Sequence, residues 1–243
     1  MDNPTAAMLV IGDEILSGRT RDANMYFLAS ELTGVGIDLN EVRVVADDPT
    51  AIIEAVRSLS TAVDHVFTSG GIGPTHDDIT ADCIADAFGA TIDVRDDARA
   101  ILQAHYDRQK IAINDARLRM ARIPDGAALI DNPISAAPGF TLGNVHVMAG
   151  VPSVFQAMVA SILPTLTGGQ PICSSSLRIE RGEGDIAGPL GKIAGQFGDL
   201  SFGSYPFIND GLYGTNIVVR GSDPSALKAA ISVLQGAFPD AIL

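Results

Sequence analysis

The sequence predicts an α/β protein: a three-layer domain with a mostly parallel sheet, followed by a smaller α+β domain. Apolar runs of strand length alternate with helical patterns as far as residue 165, which is typical of a parallel sheet with helices on both faces. The pattern changes at TGGQP (Thr167–Pro171), after which the order becomes strand, helix, strand, strand, helix. We therefore predict two domains, residues 1–169 and 170–243.

In the first domain, short apolar runs predict strands and amphipathic segments predict helices. The first run, AAMLVIG, is apolar throughout, which indicates a strand buried on both faces. Pro49 opens one helical segment and Gly89 ends another, and both are usual helix signals. The predicted strands are 6–12, 39–46, 64–70 and 91–94, and the predicted helices are 24–36, 49–62, 77–90 and 153–166.

Two stretches fit this alternation less simply. Residues 96–122 have a helical pattern but are polar, which is more typical of an inserted arm or cap than of a core helix. Residues 127–150 contain two or three short strands separated by proline and glycine turns. In the second domain, the predicted strands are 174–180, 200–207 and 214–221, and the predicted helices are 185–198 and 224–238.

The charge balance limits the partners that the protein can have. The 16 Lys and Arg against 29 Asp and Glu give a formal charge of −13, which opposes binding to nucleic acid or to anionic membranes. Cys83 and Cys173 are far apart and predict neither a disulfide nor a zinc site. Because no basic signal-like N-terminus and no uninterrupted apolar run of membrane length is present, we expect a soluble cytoplasmic protein.

The segment FTSGGIGPTHDDIT (Phe67–Thr80) combines a glycine-rich loop with two aspartates. Gly70, Gly71 and Gly73 allow backbone conformations closed to other residues, and a helix predicted to begin around Thr75 would add N–H groups for a phosphate or carboxylate. In a simpler interpretation the glycines form a tight turn, Thr75 caps the helix, and the aspartates complement its dipole. The pattern alone leaves both interpretations open.

A second acidic group, Gly12-Asp13-Glu14, follows the first predicted strand. In a doubly wound sheet the first and third strands commonly lie side by side, and ligands bind at their carboxyl ends. Asp13, Glu14, Asp77 and Asp78 would then face one cavity, where repulsion shifts carboxylate pKa values by about one to three units. A hard divalent cation relieves this repulsion because it binds carboxylate and phosphate oxygens. The predicted chemistry is metal-assisted attack on phosphorus.

Three segments, GDEILSG, GGIGPTHDDIT and AGVPSVF, resemble the molybdenum-cofactor-biosynthesis family of molybdopterin-binding (MoaB/MogA-like) domains. They resemble more closely the N-terminal region of the CinA (competence/damage-inducible protein A) family. In the second domain, RGEGDIAGPLGKIA and GLYGTNIVVRG resemble the small KH-like domain that follows in CinA proteins. The resemblance covers nearly the whole chain, and the combination of the first two motifs is specific.

The resemblance implies a site for a pterin-phosphate or nucleotide pyrophosphate together with a divalent metal (Mg, Mn or Co). For stand-alone proteins of the CinA N-terminal type, it implies hydrolysis of ADP-ribose to AMP and ribose 5-phosphate, so the expected partner is a small-molecule nucleotide. It assigns Asp13, Asp77 and Asp78 to catalysis, and the last two also to the metal. The substrate-binding residues that it implies are Gly12, Glu14, Asn24, Asp47, Gly70, Gly71, Gly73, Pro74, Thr75 and Asn132.

The sequence departs from the family pattern at two positions. Ile72 stands where molybdopterin-handling relatives usually carry Thr, and Ala149 stands where CinA-like chains usually carry Pro. Because the chain ends at Leu243, the deamidase activity of full-length CinA proteins is not expected. Two alternatives stay open: a molybdopterin-binding or adenylyl-transferring protein of molybdenum cofactor biosynthesis, or a non-catalytic nucleotide-binding module. The loop after the first strand has a simpler interpretation too, as a solvated loop with Asp22 or Asn24 as an N-cap.

A basic cluster, Lys110, Arg117, Arg119 and Arg122, stands out in this acidic chain. The cluster is either a solvated face or a clamp that closes over the pocket, from the same chain or from a neighbouring subunit. We expect a homodimer or other homo-oligomer. The second domain has few basic residues, which favours a structural or dimerisation role over RNA binding.

Overall fold

The computed structural model describes residues 3–209 and 211–242, and the chain forms two compact units, Met1–Gly169 and Gln170–Leu243. The strands of the first unit are β1 (Thr5–Ile11), β2 (Asp38–Val45), β3 (His65–Ser69), β4 (Ile92–Val94), β5 (Arg122–Pro124), β6 (Ala128–Ile130), β7 (Gly139–Leu142) and β8 (Val145–Met148). Its helices are α1 (Asp13–Leu16), α2 (Asn24–Gly34), α3 (Pro49–Ala62), α4 (Thr80–Phe88), α5 (Asp96–Gln109), α6 (Asp115–Arg119) and α7 (Pro152–Ile162), which continues into a 3-10 turn at Leu163–Thr165.

Six strands form the central sheet in the order β2-β1-β3-β8-β7-β6. The strands β2, β1, β3 and β8 run parallel, whereas β7 and β6 continue the sheet in antiparallel pairs. The short strands β4 and β5 form a separate antiparallel pair. The prediction of a mostly parallel α/β sheet is confirmed, and so is the predicted adjacency of the first and third strands.

Strand β1 is buried on both faces, as its unbroken apolar sequence predicts. Ala7, Leu9 and Ile11 pack with apolar side chains of α3, α4 and α5, whereas the alternate residues pack with those of α2 and α7. This is the period-two alternation of a strand between two helical layers. Local signals agree with it at α3, where Pro49 occupies the first turn and the Asp48 carboxylate accepts a hydrogen bond from the Ala51 N–H at 2.9 Å.

The prediction of an inserted arm over residues 96–122 is wrong for its first half. Ala98 and Leu102 of α5 are fully buried in the hydrophobic cluster that covers one face of the sheet. The rest of α5 is largely polar or charged, so the average polarity of the segment masked its narrow apolar stripe. Helix α5 is therefore a core helix.

The second unit has the predicted order of strand, helix, strand, strand, helix. It consists of β9 (Cys173–Ile179), α8 (Glu183–Ala194), β10 (Ser201–Asn209), β11 (Leu212–Gly221) and α9 (Pro224–Ala237). The strands form an antiparallel sheet in the order β10-β11-β9, and both helices bury their apolar residues against one face of it. This unit has a hydrophobic core of its own, around Leu177, Ile217 and Leu234.

The two cysteines differ in environment. Cys83, on α4, is buried in the core of the first unit, and burial raises the pKa of its thiol to about 11, with nearby aspartates adding to the effect. Cys173 is exposed at the start of β9. Within the described residues, no helix is long and apolar enough to cross a membrane.

A chain of polar side chains crosses the sheet far from the carboxyl ends of the strands. The His146 ring lies 3.2 Å from the His65 ring, nitrogen to nitrogen, and its Nδ1 lies 3.0 Å from the Thr141 hydroxyl. Burial lowers the pKa of His146 to about 4, and the neighbouring His65 adds to this effect. The folded protein therefore holds His146 neutral at pH values where an exposed histidine is charged.

We expect this histidine to make the first unit less stable as the pH falls from about 6.5 to about 4. In that range the unfolded chain binds a proton at His146 that the folded chain excludes, a difference on the order of 3 kcal/mol. Chemical denaturation at several pH values should show that the loss is much smaller in His146→Leu. His76→Gln, which removes an exposed imidazole, serves as the control and should keep the wild-type profile. Parallel profiles for wild type and His146→Leu would contradict the expectation.

Candidate functional site

A cavity of about 570 Å³ lies where the four parallel strands of the first unit end. Each of these strands contributes the residues that follow it: Gly12 after β1, Asp47 after β2, Gly70 after β3 and Gly150 after β8. Ligands of open α/β sheets bind at this edge. The volume is that of a site for a small molecule, which is commonly about 300–1,000 Å³.

Most of the residues predicted for the site lie around this cavity. Asp13, Asn24 and Thr75 are not among the lining residues, although each contacts a residue that is. The predicted residues that line the cavity are Gly12, Glu14, Asp47, Gly70, Gly71, Gly73, Pro74, Asp77, Asp78 and Asn132.

Two glycines let the loop after β3 pass very close to its neighbours. Gly70 and Gly71 have φ angles of +111° and +69°, in the region that favours glycine. A Cβ atom on Gly70 would lie 2.2 Å from the Ile11 carbonyl oxygen, and one on Gly71 would lie 2.1 Å from the Thr80 hydroxyl oxygen. The first two glycines of the predicted loop are therefore required by the fold, whatever they bind.

Thr80 holds the other end of this loop. Its hydroxyl donates to the Gly70 carbonyl at 3.0 Å, and its N–H donates to the Gly71 carbonyl at 2.9 Å. Helix α4 begins at Thr80, so the prediction of a helix start around Thr75 to Asp77 is wrong. The loop between Gly71 and Thr80 is thus longer than the sequence pattern suggested.

The local pattern that suggested an earlier helix start is nevertheless formed. Asp78 Oδ2 accepts hydrogen bonds from the Thr75 N–H at 2.8 Å and from the Thr75 hydroxyl at 2.5 Å. The bond from the Thr75 N–H is one half of a capping box; the Asp78 N–H donates instead to the Thr75 carbonyl at 3.3 Å, and this closes a single turn that does not continue. Thr75 also favours the ionised form of Asp77, whose pKa lies below its ordinary value, and the Asp77 side chain is 67% exposed.

The middle of the loop presents backbone donors. The Gly70 N–H donates to the Met148 carbonyl at 3.2 Å and is therefore used by the sheet. Among the described residues, no protein atom accepts a hydrogen bond from the N–H of Gly71, Ile72 or Gly73. Ile72 packs against both hydrophobic clusters of the first unit and anchors the segment. Successive backbone N–H groups of this kind form concave sites for anions.

Carboxylates meet across the cavity from this loop. The Asp13 N–H donates to Asp47 Oδ2 at 3.0 Å, so the backbone of Asp13, rather than its exposed side chain, contacts the lining. Burial raises the pKa of Asp47, and the negative charges of Asp13, Glu14 and Asp77 raise it further. The acidic groups after β1, β2 and β3 therefore lie within electrostatic reach of one another, as predicted from the strand order.

Asn132 has a structural contact set. Its Nδ2 donates to the Ser135 hydroxyl and to the Ala137 carbonyl, both at 2.7 Å, and its Oδ1 accepts from the N–H groups of Ile134 and Ser135. These bonds stabilise the loop between β6 and β7, in which Ala136 has a φ of +60°. Asn132 lines the cavity, but its amide is occupied within its own loop.

Asn24 lies beside the main cavity rather than in its wall. It is buried on the first turn of α2, and its Nδ2 donates to the Ser69 hydroxyl and to the Gly150 carbonyl, both at 2.8 Å. The helix start is capped instead by Asp22, which accepts a hydrogen bond from the Met25 N–H. The interpretation of Asn24 as a simple N-cap is therefore wrong.

The predicted basic cluster does not form a joint clamp within the described part of the chain. Lys110 is exposed at the end of α5, Arg117 lies over the Tyr106 ring at 5.0 Å, and Arg122 forms a bidentate ion pair with Asp82. Arg119 alone reaches the glycine loop, where it donates to the Asp78 carbonyl at 3.3 Å. Its Nε is buried and has no hydrogen-bond partner among the described residues.

The carboxylates around the cavity fit only a metal site that is completed by oxygens from a ligand or water. Across residues 3–209 and 211–242, no group of three His, Cys, Asp or Glu side chains is arranged to hold a metal by itself. Magnesium and similar ions are commonly held by one or two carboxylates together with phosphate oxygens and water. Asp77 and Asp78, on the cavity wall with Glu14 and Asp47 nearby, fit a site of this second kind.

Sequence reasoning overlooked contacts made by ordinary-looking residues. Ser69 and Gly150 bind Asn24 across the ends of two strands, and the Ala149 N–H lies 3.5 Å from the Met158 sulfur. A proline at position 149 could not make this last contact because it has no N–H. The one available signal for Gly150 was its place after an apolar strand, at the edge where the other loops meet.

Two family models match the chain, one for each unit. A model described as "Probable molybdopterin binding domain" matches residues 7–168, and a model described as "FAD synthase, middle domain" matches residues 171–243. The sequence patterns of the second unit had not suggested a relationship to FAD synthase.

Named relatives and a solved structure agree with the first match. A "Probable FAD synthase" of Caenorhabditis elegans is 31% identical over 95% of this chain and 49% of its own length, so the chain spans about half of that relative. A protein of Pyrobaculum calidifontis is 30% identical over 99% of both chains. The crystal structure of CinA from Thermoplasma acidophilum, titled as of unknown function, is 33% identical, with a TM-score of 0.62 over 67% of this chain and 97% of that chain.

We expect Gly70→Ala to destabilise the first unit more than Gly126→Ala. Both residues have positive φ, but a Cβ on Gly126 meets nothing within 4 Å. The backbone conformation should cost each variant about 1–2 kcal/mol, and the contact with the Ile11 carbonyl should cost Gly70→Ala about 1–3 kcal/mol more. Chemical denaturation measures both losses. Equal losses would show that the loop moves away from β1 without cost.

Proposed function

Because the chain belongs to the "Probable molybdopterin binding domain" family, we propose that it is a metal-dependent nucleotide pyrophosphatase. The favoured substrate is ADP-ribose, which would be cleaved to AMP and ribose 5-phosphate. The proposal rests on one observation: backbone N–H groups without protein acceptors and a set of carboxylates line the same cavity. A diphosphate with a divalent cation satisfies both, since its oxygens accept from the N–H groups and share the cation with the carboxylates.

The residues of the loop after β3 have distinct roles in this proposal. The N–H groups of Gly71, Ile72 and Gly73 bind phosphate oxygens, and Asp77 and Asp78 hold the cation. Thr75 orients Asp78 through its two hydrogen bonds to Oδ2, which leave Oδ1 for the cation. Mg²⁺, Mn²⁺ or Co²⁺ bound there would neutralise diphosphate charge and lower the pKa of a bound water.

The acidic groups that follow β1 and β2 complete the reaction. Water attacks one phosphorus atom, a new phosphorus–oxygen bond forms, and the anhydride bond to the other phosphate breaks. Asp47 accepts the proton of the attacking water, and the Asp13 N–H holds the Asp47 carboxylate in position. Glu14 adds negative charge that favours the cation. The products are two phosphate monoesters.

A second function, adenylyl transfer, is favoured by the comparisons with FAD synthases. The relatives that carry this name match almost the whole chain, and the second unit matches a FAD synthase domain. The same cavity would then hold ATP or FAD, and a flavin phosphate would take the place of water. Molybdopterin binding and a non-catalytic nucleotide-binding module remain further alternatives, and Ile72 provides no hydroxyl for a pterin ligand.

Incubation of the purified chain with ADP-ribose, FAD, NAD or ATP should distinguish these functions. With Mg²⁺, Mn²⁺ or Co²⁺ present, we expect AMP from ADP-ribose, and none after the metal is removed by EDTA. AMP released from FAD with a higher kcat/KM than from ADP-ribose would show that FAD is the preferred substrate. FAD formed from FMN and ATP would support the transferase. No product with any substrate would favour a binding module.

Asp77→Asn should lower kcat/KM for ADP-ribose by about 100-fold or more, because the neutral amide binds a hard cation weakly. The metal concentration for half-maximal rate should rise as well. Asp96→Asn on α5 removes one negative charge elsewhere in the same unit and serves as the control, with unchanged kinetics. A double variant, Asp77→Asn with Asp78→Asn, that kept full metal-dependent turnover would refute the proposed metal site.

A further inference from the structure

Asn24 contains a buried acceptor that the protein does not use. The residue is 3% exposed, and its Oδ1 has no hydrogen-bond partner among the described residues. Buried amide oxygens in native proteins are nearly always paired, because leaving one unpaired costs its full hydration. Because no described protein group donates to Oδ1, its donor is either a water or a ligand.

The orientation of this amide is determined by its neighbours. The Gly150 carbonyl can only accept, so the atom 2.8 Å from it must be the amide nitrogen. The second hydrogen of that nitrogen is directed to the Ser69 hydroxyl oxygen, also at 2.8 Å. Both donors are therefore used, and exchanging the amide atoms would place two acceptors against each other at Gly150. The unused group is the acceptor Oδ1.

A small cavity of about 60 Å³ lies at this position. Asn24, Ser69, Arg21 and Asp22 line it, and Ile11, Glu14, Thr20, Gly150 and Pro152 line both this cavity and the large one. The small cavity therefore adjoins the space in which the loop after β3 presents its N–H groups. Because one water needs about 10–15 Å³ of such volume, the small cavity has room for a few waters. A hydroxyl-bearing part of a sugar fits this volume.

We propose that this small cavity is a subsite for ribose hydroxyl groups, with Asn24 Oδ1 as the acceptor that recognises them. The proposal rests on the proposed function, in which the ligand is a ribose 5-phosphate ester. The Glu14 and Asp22 carboxylates line the cavity together with Asn24, and Arg21 lines it as well. A vicinal diol supplies donors to the acceptors among these groups, and a 2-deoxyribose has one donor fewer. Asn24 is thus assigned as a specificity-determining residue.

Two pairs of ligands distinguish which ribose enters the subsite. AMP with 2′-deoxy-AMP tests the ribose of the adenosine, and ribose 5-phosphate with 2-deoxyribose 5-phosphate tests the other sugar. Calorimetric titration of the full chain with Mg²⁺ should show about 10-fold weaker binding of the deoxy compound in one pair, as expected for one lost hydrogen bond. This comparison uses the unaltered chain and does not depend on the folding of any variant.

Two variants then assign the effect to Oδ1. Asn24→Leu should bring the affinity ratio of that pair close to one, because no acceptor remains. Asn144→Leu is the matched control: it also removes two hydrogen bonds of an asparagine amide, those to the Ser60 and Val63 carbonyls, but it lines neither cavity and should keep the ratio. A general loosening of the strand ends would instead weaken both members of the pair equally.

The outcomes separate this inference from the proposed function. Binding of both members of each pair with equal affinity would overturn the subsite, because Oδ1 would then be hydrated by water only, while the phosphate-binding cavity would stand. Failure of all four compounds to bind would overturn the proposed function, and the ribose subsite with it. If Asn24→Leu leaves the affinity ratio of the pair unchanged, another residue recognises the diol, and the assignment of Asn24 is overturned.

Discussion

The loop after β3 passes so close to the end of β1 that no side chain fits between them. The Gly70 backbone lies against the Ile11 carbonyl, and a Cβ on Gly150, beyond β8, would lie 3.2 Å from the Gly70 α-carbon. The ends of β1, β3 and β8 therefore approach one another closely enough for backbone contact. Thr80 closes the loop with hydrogen bonds to two successive carbonyls, those of Gly70 and Gly71. The position of the donors, and of the aspartates that follow them, depends on this contact.

The same arrangement explains how groups that attract an anion and groups that repel one lie around the same cavity. Backbone donors favour an anion, whereas the acidic groups after β1, β2 and β3 repel one. Burial raises the pKa of Asp47, and the charges after β1 and β3 raise it further. In isolation, each half of the site is less stable than it would be with its own ligand. In the proposed function, a cation and a phosphate bound together would stabilise both halves, so that no metal cage made only of protein side chains would be needed.

The sequence predicted features that depend on local pattern and failed where distant contacts decide. The unbroken apolar run of β1, the Pro49 helix start and the order of elements in the second unit follow from short segments, and all were predicted. The start of α4 was not, because the capping contact of Thr75 with Asp78 forms locally while Thr80 is held by the glycine loop. The carboxylates could be brought together only through the general rule on strand order. For Asn132 and Asn24, the family resemblance suggested ligand contact, but only the hydrogen bonds distinguish an occupied amide from one with a spare acceptor.

The burial of Cys83 has a practical consequence for following motion at the site. This thiol lies on α4, one turn after Thr80, and is shielded from solvent. Because burial raises its pKa, only a small fraction of it is thiolate at neutral pH. A thiol reagent can modify it only when α4 separates from the core, whereas Cys173 is exposed and reacts directly. The slow phase of labelling therefore reports how often the helix behind the glycine loop opens. A ligand that binds the glycine loop would slow that phase. Labelling of Cys83 can therefore report ligand binding at the site without an added label site.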